Sequence, residues 1–283
     1  MRIVVASGKG GTGKTTVATS LALVAAEQGA VRFMDCDVEA PNAGLFLDPV
    51  LERRKEVGLL IPQIDEAACT FCGKCAEVCQ FHAIAVIGKK ALVFPELCHG
   101  CGSCTLVCPE GAISEKLDVM GVLAGGPAAQ SIDFAQGEMN IGEPMAVPII
   151  RELKKWEPAN TAKIEIRDAP PGASCPVVES IRGADFVLLV TEPTPFGLHD
   201  LKQVAGVVKE LGIPAGVIIN RDGIGDKAVE TYCAKSGLPV LMRIPMDRQV
   251  AEGIARGRTL VEIRPEFGPA LRDTLEQIVQ RAT

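Results

Sequence analysis

The sequence predicts an α/β fold, with a parallel sheet covered by helices on both faces and interrupted by a small α+β insertion. Three observations carry this expectation. Short β-rich runs alternate with helical patterns at both ends of the chain, the signature of parallel strands joined by crossover helices. That alternation decays after Asn42 and resumes past residue 118. Between the two halves lie eight of the eleven cysteines, from Cys69 to Cys108. The expected organisation is a first part at 1–62, an insertion at 63–117 and a second part at 118–283. About 220 residues outside the insertion is a normal size for one such domain.

The elements follow in order. Arg2–Ala6 is a short apolar run of strand length, and 13–28 carries Val17, Leu21, Val24 and Ala25 at helical spacing. Gly29 stands where a helix C-cap is wanted, and 31–34 is apolar again. The stretch LERRKEVGLLIPQIDEAA, from Leu51, has no clear period and reads as a linker. Beyond the cysteines, 163–167, 186–190, 216–219 and 240–244 have the length and β-branched content of buried strands, with helical patterns at 198–211 and 226–235 between them. A last helix at 266–281 presents Phe267, Leu271, Leu275 and Ile278 on one face. Its acids Glu266, Asp273 and Glu276 offset its two arginines, so it is expected to dock on the sheet and not on a membrane.

Gly8-Lys9-Gly10-Gly11-Thr12-Gly13-Lys14-Thr15 fits G-x-x-x-x-G-K-[ST], after a strand and before a helix, as that motif requires. Its glycines let backbone N–H groups curl round phosphate oxygens, and the helix N-terminus adds positive potential. Gly10, Gly11, Thr12, Gly13, Lys14, Thr15 and Thr16 are therefore the expected contacts to ATP or ADP. Lys14 is expected at the β- and γ-phosphates and Thr15 at Mg²⁺. Asp35 and Asp37 close the strand from Val31, and Asp168 closes the strand from Lys163. Acids at the carboxyl ends of neighbouring parallel strands face the ligand crevice, although solvated strand ends remain the alternative.

With Lys9 inside it, KGGTGKT resembles the deviant Walker A loop of the MinD/ParA/nitrogenase-iron-protein group of P-loop ATPases. The resemblance implies a homodimer in the ATP state in which Lys9 crosses to the partner's nucleotide and acts as a catalytic charge. It also implies that Asp37 positions or activates the attacking water, with Asp35 and Asp168 around Mg²⁺. Asn220-Arg221 resembles the base-recognition segment of this group, and Pro245-Met246-Asp247 the loop that closes over adenine; Asn after a strand is also ordinary turn chemistry.

The insertion repeats. Cys69, Cys72, Cys75 and Cys79 recur 29 residues later as Cys98, Cys101, Cys104 and Cys108, and Ala83-Ile84 recurs as Ala112-Ile113. C-x2-C-x2-C-x3-C read twice is the spacing of a bacterial two-cluster ferredoxin, in which the fourth ligand of each [4Fe–4S] cluster comes from the other half. The expected sets are Cys69, Cys72, Cys75 and Cys108 for one cluster, and Cys98, Cys101, Cys104 and Cys79 for the other. Zinc sites usually pair C-x2-C with a distant second pair. A disulfide framework needs a secreted context. One departure is that Pro109 follows Cys108 while Gln80 follows Cys79.

Cys175 follows Gly172 in DAPPGASCPVVES. Nitrogenase iron protein is similar in having a ligand cysteine shortly after a switch glycine, but the glycine-rich GVLAGGP at 121–127, where a second would be sought, has none. The CPxC of Mrp-type scaffold ATPases is also absent, since Val177-Val178 follows Cys175-Pro176. Cys175 is expected to be buried or inert, and Cys36 and Cys233 to serve packing.

The net charge of −6 disfavours a sequence-independent grip on nucleic acid. No apolar run is long enough to span a bilayer, and Met1-Arg2 leads straight into a strand, so a cytoplasmic protein without a stable membrane anchor is expected. The whole chain resembles MinD-superfamily ATPases carrying an inserted ferredoxin domain, TEPTPFGLHDL at 191–201 included. That resemblance implies ATP-driven dimerisation with iron–sulfur clusters carried on the same polypeptide. The expected function is an ATPase whose hydrolysis cycle gates electron transfer, or metal or cluster delivery, to a redox or metallocofactor acceptor protein. Two alternatives are a MinD/ParA-type spatial organiser with structural clusters and a ferredoxin electron carrier with a regulatory nucleotide site.

Overall fold

The computed structural model describes residues 1–158 and 161–282. The strands are β1 (Arg2–Ala6), β2 (Val31–Asp35), β3 (Arg53–Ile64), β4 (Ile84–Ile87), β5 (Lys90–Val93), β6 (Ile113–Ala128), β7 (Ile132–Met139), β8 (Ile164–Asp168), β9 (Phe186–Thr191), β10 (Ala215–Asp222) and β11 (Val240–Pro245). The helices are α1 (Lys14–Ala26), α2 (Gly44–Leu47), α3 (Lys74–Val78), α4 (Ser103–Val107), α5 (Val147–Lys154), α6 (Cys175–Ile181), α7 (Pro195–Glu210), α8 (Ala228–Lys235), α9 (Arg248–Ile254), α10 (Leu260–Ile263) and α11 (Phe267–Ala282). A nine-stranded sheet has the order β11-β10-β9-β1-β8-β2-β7-β6-β3, and β4 pairs antiparallel with β5.

The chain divides into two compact units. One comprises Met1–Lys55, Leu123–Glu138 and the described residues from Ile150 onward; the other comprises Glu56–Val122 and Met139–Ile149. In the larger unit β1 pairs parallel with both β8 and β9, β9 with β10, β10 with β11, and β2 with both β8 and β7. Because strand side chains alternate between faces, single strands feed two cores. Ile3, Val5, Phe186, Leu188 and Val190 join one, and Val4, Ala6, Val187 and Leu189 join the other.

Helix α1 is buried nearly all round, from Lys14 to Ala25, because it packs against β1, β8 and α11. A helix covered on every side needs no polar face, which is why its sequence carries so little helical contrast. Helix α11 is the opposite case. Phe267, Leu271, Leu275 and Ile278 are buried at helical spacing and the helix docks on α1 and β11, as its apolar stripe predicts. Each such side chain contributes about 1.5–3 kcal/mol by leaving water.

One sequence expectation is corrected here. The stretch read as a linker forms β3, whose first four residues are exposed. It is the last strand in the sheet order, so its charged residues Arg53, Arg54, Lys55 and Glu56 can face water and blur the period. The glycine-rich GVLAGGP at 121–127 lies within the sixteen-residue β6. Its glycines serve close approach: a Cβ on Gly125 would meet the Phe134 carbonyl oxygen at 2.6 Å, and one on Gly126 the Val50 oxygen at 2.0 Å.

Candidate nucleotide site and cysteine pockets

The loop from Ser7 to Gly13 joins β1 to α1 at the carboxyl edge of the sheet. Gly11 and Gly13 adopt φ of 76° and 90°, left-handed turns that a phosphate-wrapping loop needs and a side chain resists. A Cβ on Gly13 would also lie 2.4 Å from Asn220 Nδ2. A cavity of about 580 Å³ opens over this loop, a size suited to a small-molecule ligand. Its lining combines Lys9, Gly10, Gly11, Gly13, Lys14, Thr15 and Thr16 with Asp37, Asn42, Asn220, Arg221, Pro245 and Asp247. Apolar surface comes from Phe46, Ile224, Met246, Val250 and Ile254, suited to a flat base.

The charges beneath are tightly paired. Lys14 Nζ donates to Asp168 Oδ1 at 2.6 Å, and Thr15 Oγ1 donates to Asp168 Oδ2 at 2.6 Å. Burial alone would lower the Lys14 pKa, but the charge and hydrogen bond of Asp168 raise it, so Lys14 stays cationic. Asp35 is fully buried and accepts from the backbone N–H groups of Asp37, Asn42 and Ala43 at 3.1, 2.9 and 2.9 Å. It thereby holds the loop that carries Asp37 over the cavity. Burial and the charge of Asp168 raise its pKa. Burial likewise pushes Asp37 up to about 6, against the pull of Lys14.

The smaller unit preserves its repeat in the backbone. Phe71, Gly73 and His82 have φ of 57°, 80° and 54°, matched by Gly100, Gly102 and Gly111 at 62°, 71° and 60°. The N–H groups of Phe71 and Gly100 reach the Sγ atoms of Cys69 and Cys98 at 3.4 Å, and those of Ala83 and Ala112 reach Cys79 and Cys108 at 3.3 Å. One pocket is lined by Cys69, Cys72, Cys75 and Cys108, and a second by Cys79, Cys98, Cys101 and Cys104. Among the described residues, no three Cys, His, Asp or Glu side chains converge as the ligands of a single metal ion. Four sulfurs round an opening, with N–H groups directed at them, are a donor set that fits a polynuclear cluster of net negative charge. Phe81 and His99 stack at 3.7 Å beside the second pocket.

The description "CobQ/CobB/MinD/ParA nucleotide binding domain" matches residues 3–261. The chain belongs to this family of P-loop ATPases. An uncharacterized protein of Methanocaldococcus jannaschii is 32% identical over 284 residues, covering 98% of this chain and 96% of that one. An iron-sulfur cluster carrier protein of Aquifex aeolicus is 25% identical over 302 residues, covering 98% of this chain and 68% of the relative. Among solved structures, MinD of Pyrococcus horikoshii complexed with Mg-ADP has a TM-score of 0.58 at 20% identity, covering 98% and 95% of the two chains, a likeness of fold.

For this MinD/ParA-type ATPase the residues singled out in sequence divide cleanly. Lys9, Lys14, Thr15, Thr16, Asp37, Asn220, Arg221, Pro245, Asp247 and the loop glycines share the cavity lining. Thr12, Asp35 and Asp168 are buried beneath it. Asn220 braces the phosphate loop, donating from Nδ2 to the Thr12 carbonyl at 2.7 Å while its Oδ1 accepts from Arg221 N. Asp247 caps α9 by accepting from Gln249 N at 2.7 Å, and its other oxygen accepts from Arg264. Cys175 is exposed, where a buried or inert position was expected, because it opens α6. Cys36 and Cys233 are buried, and burial pushes their thiols up to about 12 and about 11. Glu192 was missed: at the end of β9 it accepts from both Lys9 and Arg221. Its signal was its place, an acid after a buried strand in TEPTPFG. Among the described residues, no helix is long and apolar enough to cross a membrane.

Proposed function

We propose that this ATPase is an iron–sulfur protein, carrying two [4Fe–4S] clusters, whose Mg-ATP cycle drives homodimerisation and so gates electron transfer or cluster delivery to an acceptor protein. One observation carries the reading. A complete nucleotide cavity occurs in the same chain as two pockets that each take three cysteines from one repeat and one from the other.

In this reading Lys14 leaves Asp168 for the β- and γ-phosphates, and the loop N–H groups hold the same oxygens. Thr15, Asp35 and Asp168 supply hard oxygen donors of the kind Mg²⁺ prefers. When bound, that ion neutralises phosphate charge. Asp37, held over the cavity by the Asp35-anchored loop, orients and deprotonates the attacking water. Lys9 meets the nucleotide of the opposite protomer and stabilises charge on the transferred phosphoryl group. The loop at 37–43 runs directly into α2 and then β3, which leads to the cysteine repeat, so a nucleotide-dependent change in that loop acts on the connecting chain. The clusters supply one-electron storage when bound.

The test is anaerobic purification followed by iron and sulfide analysis and redox titration with Mg-ATP or Mg-ADP. The reading expects about eight iron atoms per chain and a nucleotide-dependent midpoint shift, about 59 mV for a tenfold change in equilibrium. Iron content near zero after anaerobic reconstitution refutes the cluster part. Identical potentials remove redox coupling and leave delivery, tested by transfer to an apo-acceptor.

A further inference from the structure

The fold spends a buried carboxylate on Lys9. Glu192 is 5% exposed, and its Oε1 accepts from Lys9 Nζ and from Thr194 Oγ1 at 3.2 Å. Its Oε2 accepts from Arg221 Nη1 at 2.8 Å, and Arg221 Nη2 reaches back to the Gly11 carbonyl at 2.9 Å. One acid therefore ties the loop lysine and a cavity-lining arginine together.

The turn bearing Glu192 is closely packed and hydrogen-bonded. A Cβ on Gly197 would meet the Glu192 carbonyl oxygen at 2.2 Å, and one on Gly225 the Pro193 oxygen at 1.4 Å. Thr191 Oγ1 donates to the Gly197 carbonyl at 3.0 Å, and Thr194 caps α7 by accepting from Gly197 N at 3.0 Å. Lys9, by contrast, sits on a glycine loop with a third of its side chain exposed.

We propose that Glu192 is a cis tether for Lys9, holding it on its own protomer until an ATP-bound partner competes for it. The inference rests on the reading that Lys9 acts on a partner's nucleotide, and it adds a positioning residue that sets the threshold for dimerisation. Both protomers must break a charge-assisted hydrogen bond to exchange lysines, so assembly is opposed until the phosphate charge of both nucleotides is in place.

The test uses the full chain as wild type, Glu192→Gln, Arg221→Gln and Lys9→Ala. The first readout is the rate at which an amine-acylating reagent modifies Lys9, followed by mass spectrometry with exposed lysines as internal reference. The tether expects Glu192→Gln to raise that rate about tenfold and Arg221→Gln, which keeps the Lys9 contact, to leave it unchanged. A general loosening of the site would raise both, and equal rates in wild type and Glu192→Gln overturn the tether. The second readout is sedimentation with a slowly hydrolysed ATP analogue. Glu192→Gln should dimerise at about tenfold lower protein concentration than wild type, and Lys9→Ala should not dimerise. A Lys9-dependent wild-type dimer that Glu192→Gln does not tighten overturns the tether and spares the dimer reading. Failure of every variant to dimerise overturns both.

Discussion

Replacing Asp168 with Asn isolates the pair at the centre of the nucleotide site. Asp168 is wholly buried and Lys14 is 6% exposed, so water screens their contact little. Removing one partner of such a pair leaves an uncompensated buried charge, at a cost of about 3–5 kcal/mol. Asp35 and Asp37 also act on Lys14, and Asp35 ionises more readily once the neighbouring charge of Asp168 is gone. That relief sets the expectation at the lower end, about 3 kcal/mol, or a fall in melting temperature of about 6–12 °C for a unit of this size. The measurement is urea unfolding of wild type, Asp168→Asn, Lys14→Met and the double variant. The double variant leaves neither member of the pair as an uncompensated buried charge, so it should lose less than the sum of the two single variants. A loss below about 1 kcal/mol in Asp168→Asn, or a double variant equal to the sum of the singles, refutes the argument.

Three further outcomes follow from the geometry. In its proposed role as the water-activating base Asp37 must be ionised, so kcat/KM should be sustained above pH 6 and fall as pH drops through about 6; Asp37→Asn should lose that limb and about 10²–10⁴-fold in rate, read in a steady-state pH profile. With the proposed clusters in these pockets, Cys108→Ser should weaken the one lined by Cys69, Cys72 and Cys75, while Cys79→Ser should weaken the other. Electron paramagnetic resonance on the reconstituted variants distinguishes this crossed pairing from one in which each repeat holds its own cluster. Gly13→Ala must adopt a φ of 90° and press on Asn220, so it should cost about 1–2 kcal/mol of stability and weaken ATP binding, read by unfolding and by nucleotide titration.

Local spacing made much of the molecule legible in the sequence. The strands from Arg2, Val31 and Phe186 are buried on both faces, so their apolar runs appear undiluted. The phosphate loop is contiguous, because one turn of backbone surrounds a phosphate, and the four cysteines of each repeat are spaced by the shape of the short loop that presents them. β3 and β6 escaped because strand pairing, edge position and glycine contact are relations with distant chain. Gly125 and Gly126 declare their reason only against Phe134 and Val50.

The candidate site divides along the same line. Residue types and spacings determined which groups could bind phosphate, Mg²⁺ and sulfur-ligated iron, since that chemistry belongs to the side chains themselves. Only the tertiary structure decided how those groups are engaged. Asp168 holds both Lys14 and Thr15, Asp35 ties down the loop of Asp37, Asn220 braces Thr12, and Glu192 holds Lys9 from 183 residues away. The physical reason is that a charge partner is selected by distance and burial across the parallel sheet, whose strand order β9-β1-β8-β2 brings to one edge acids that the chain keeps far apart.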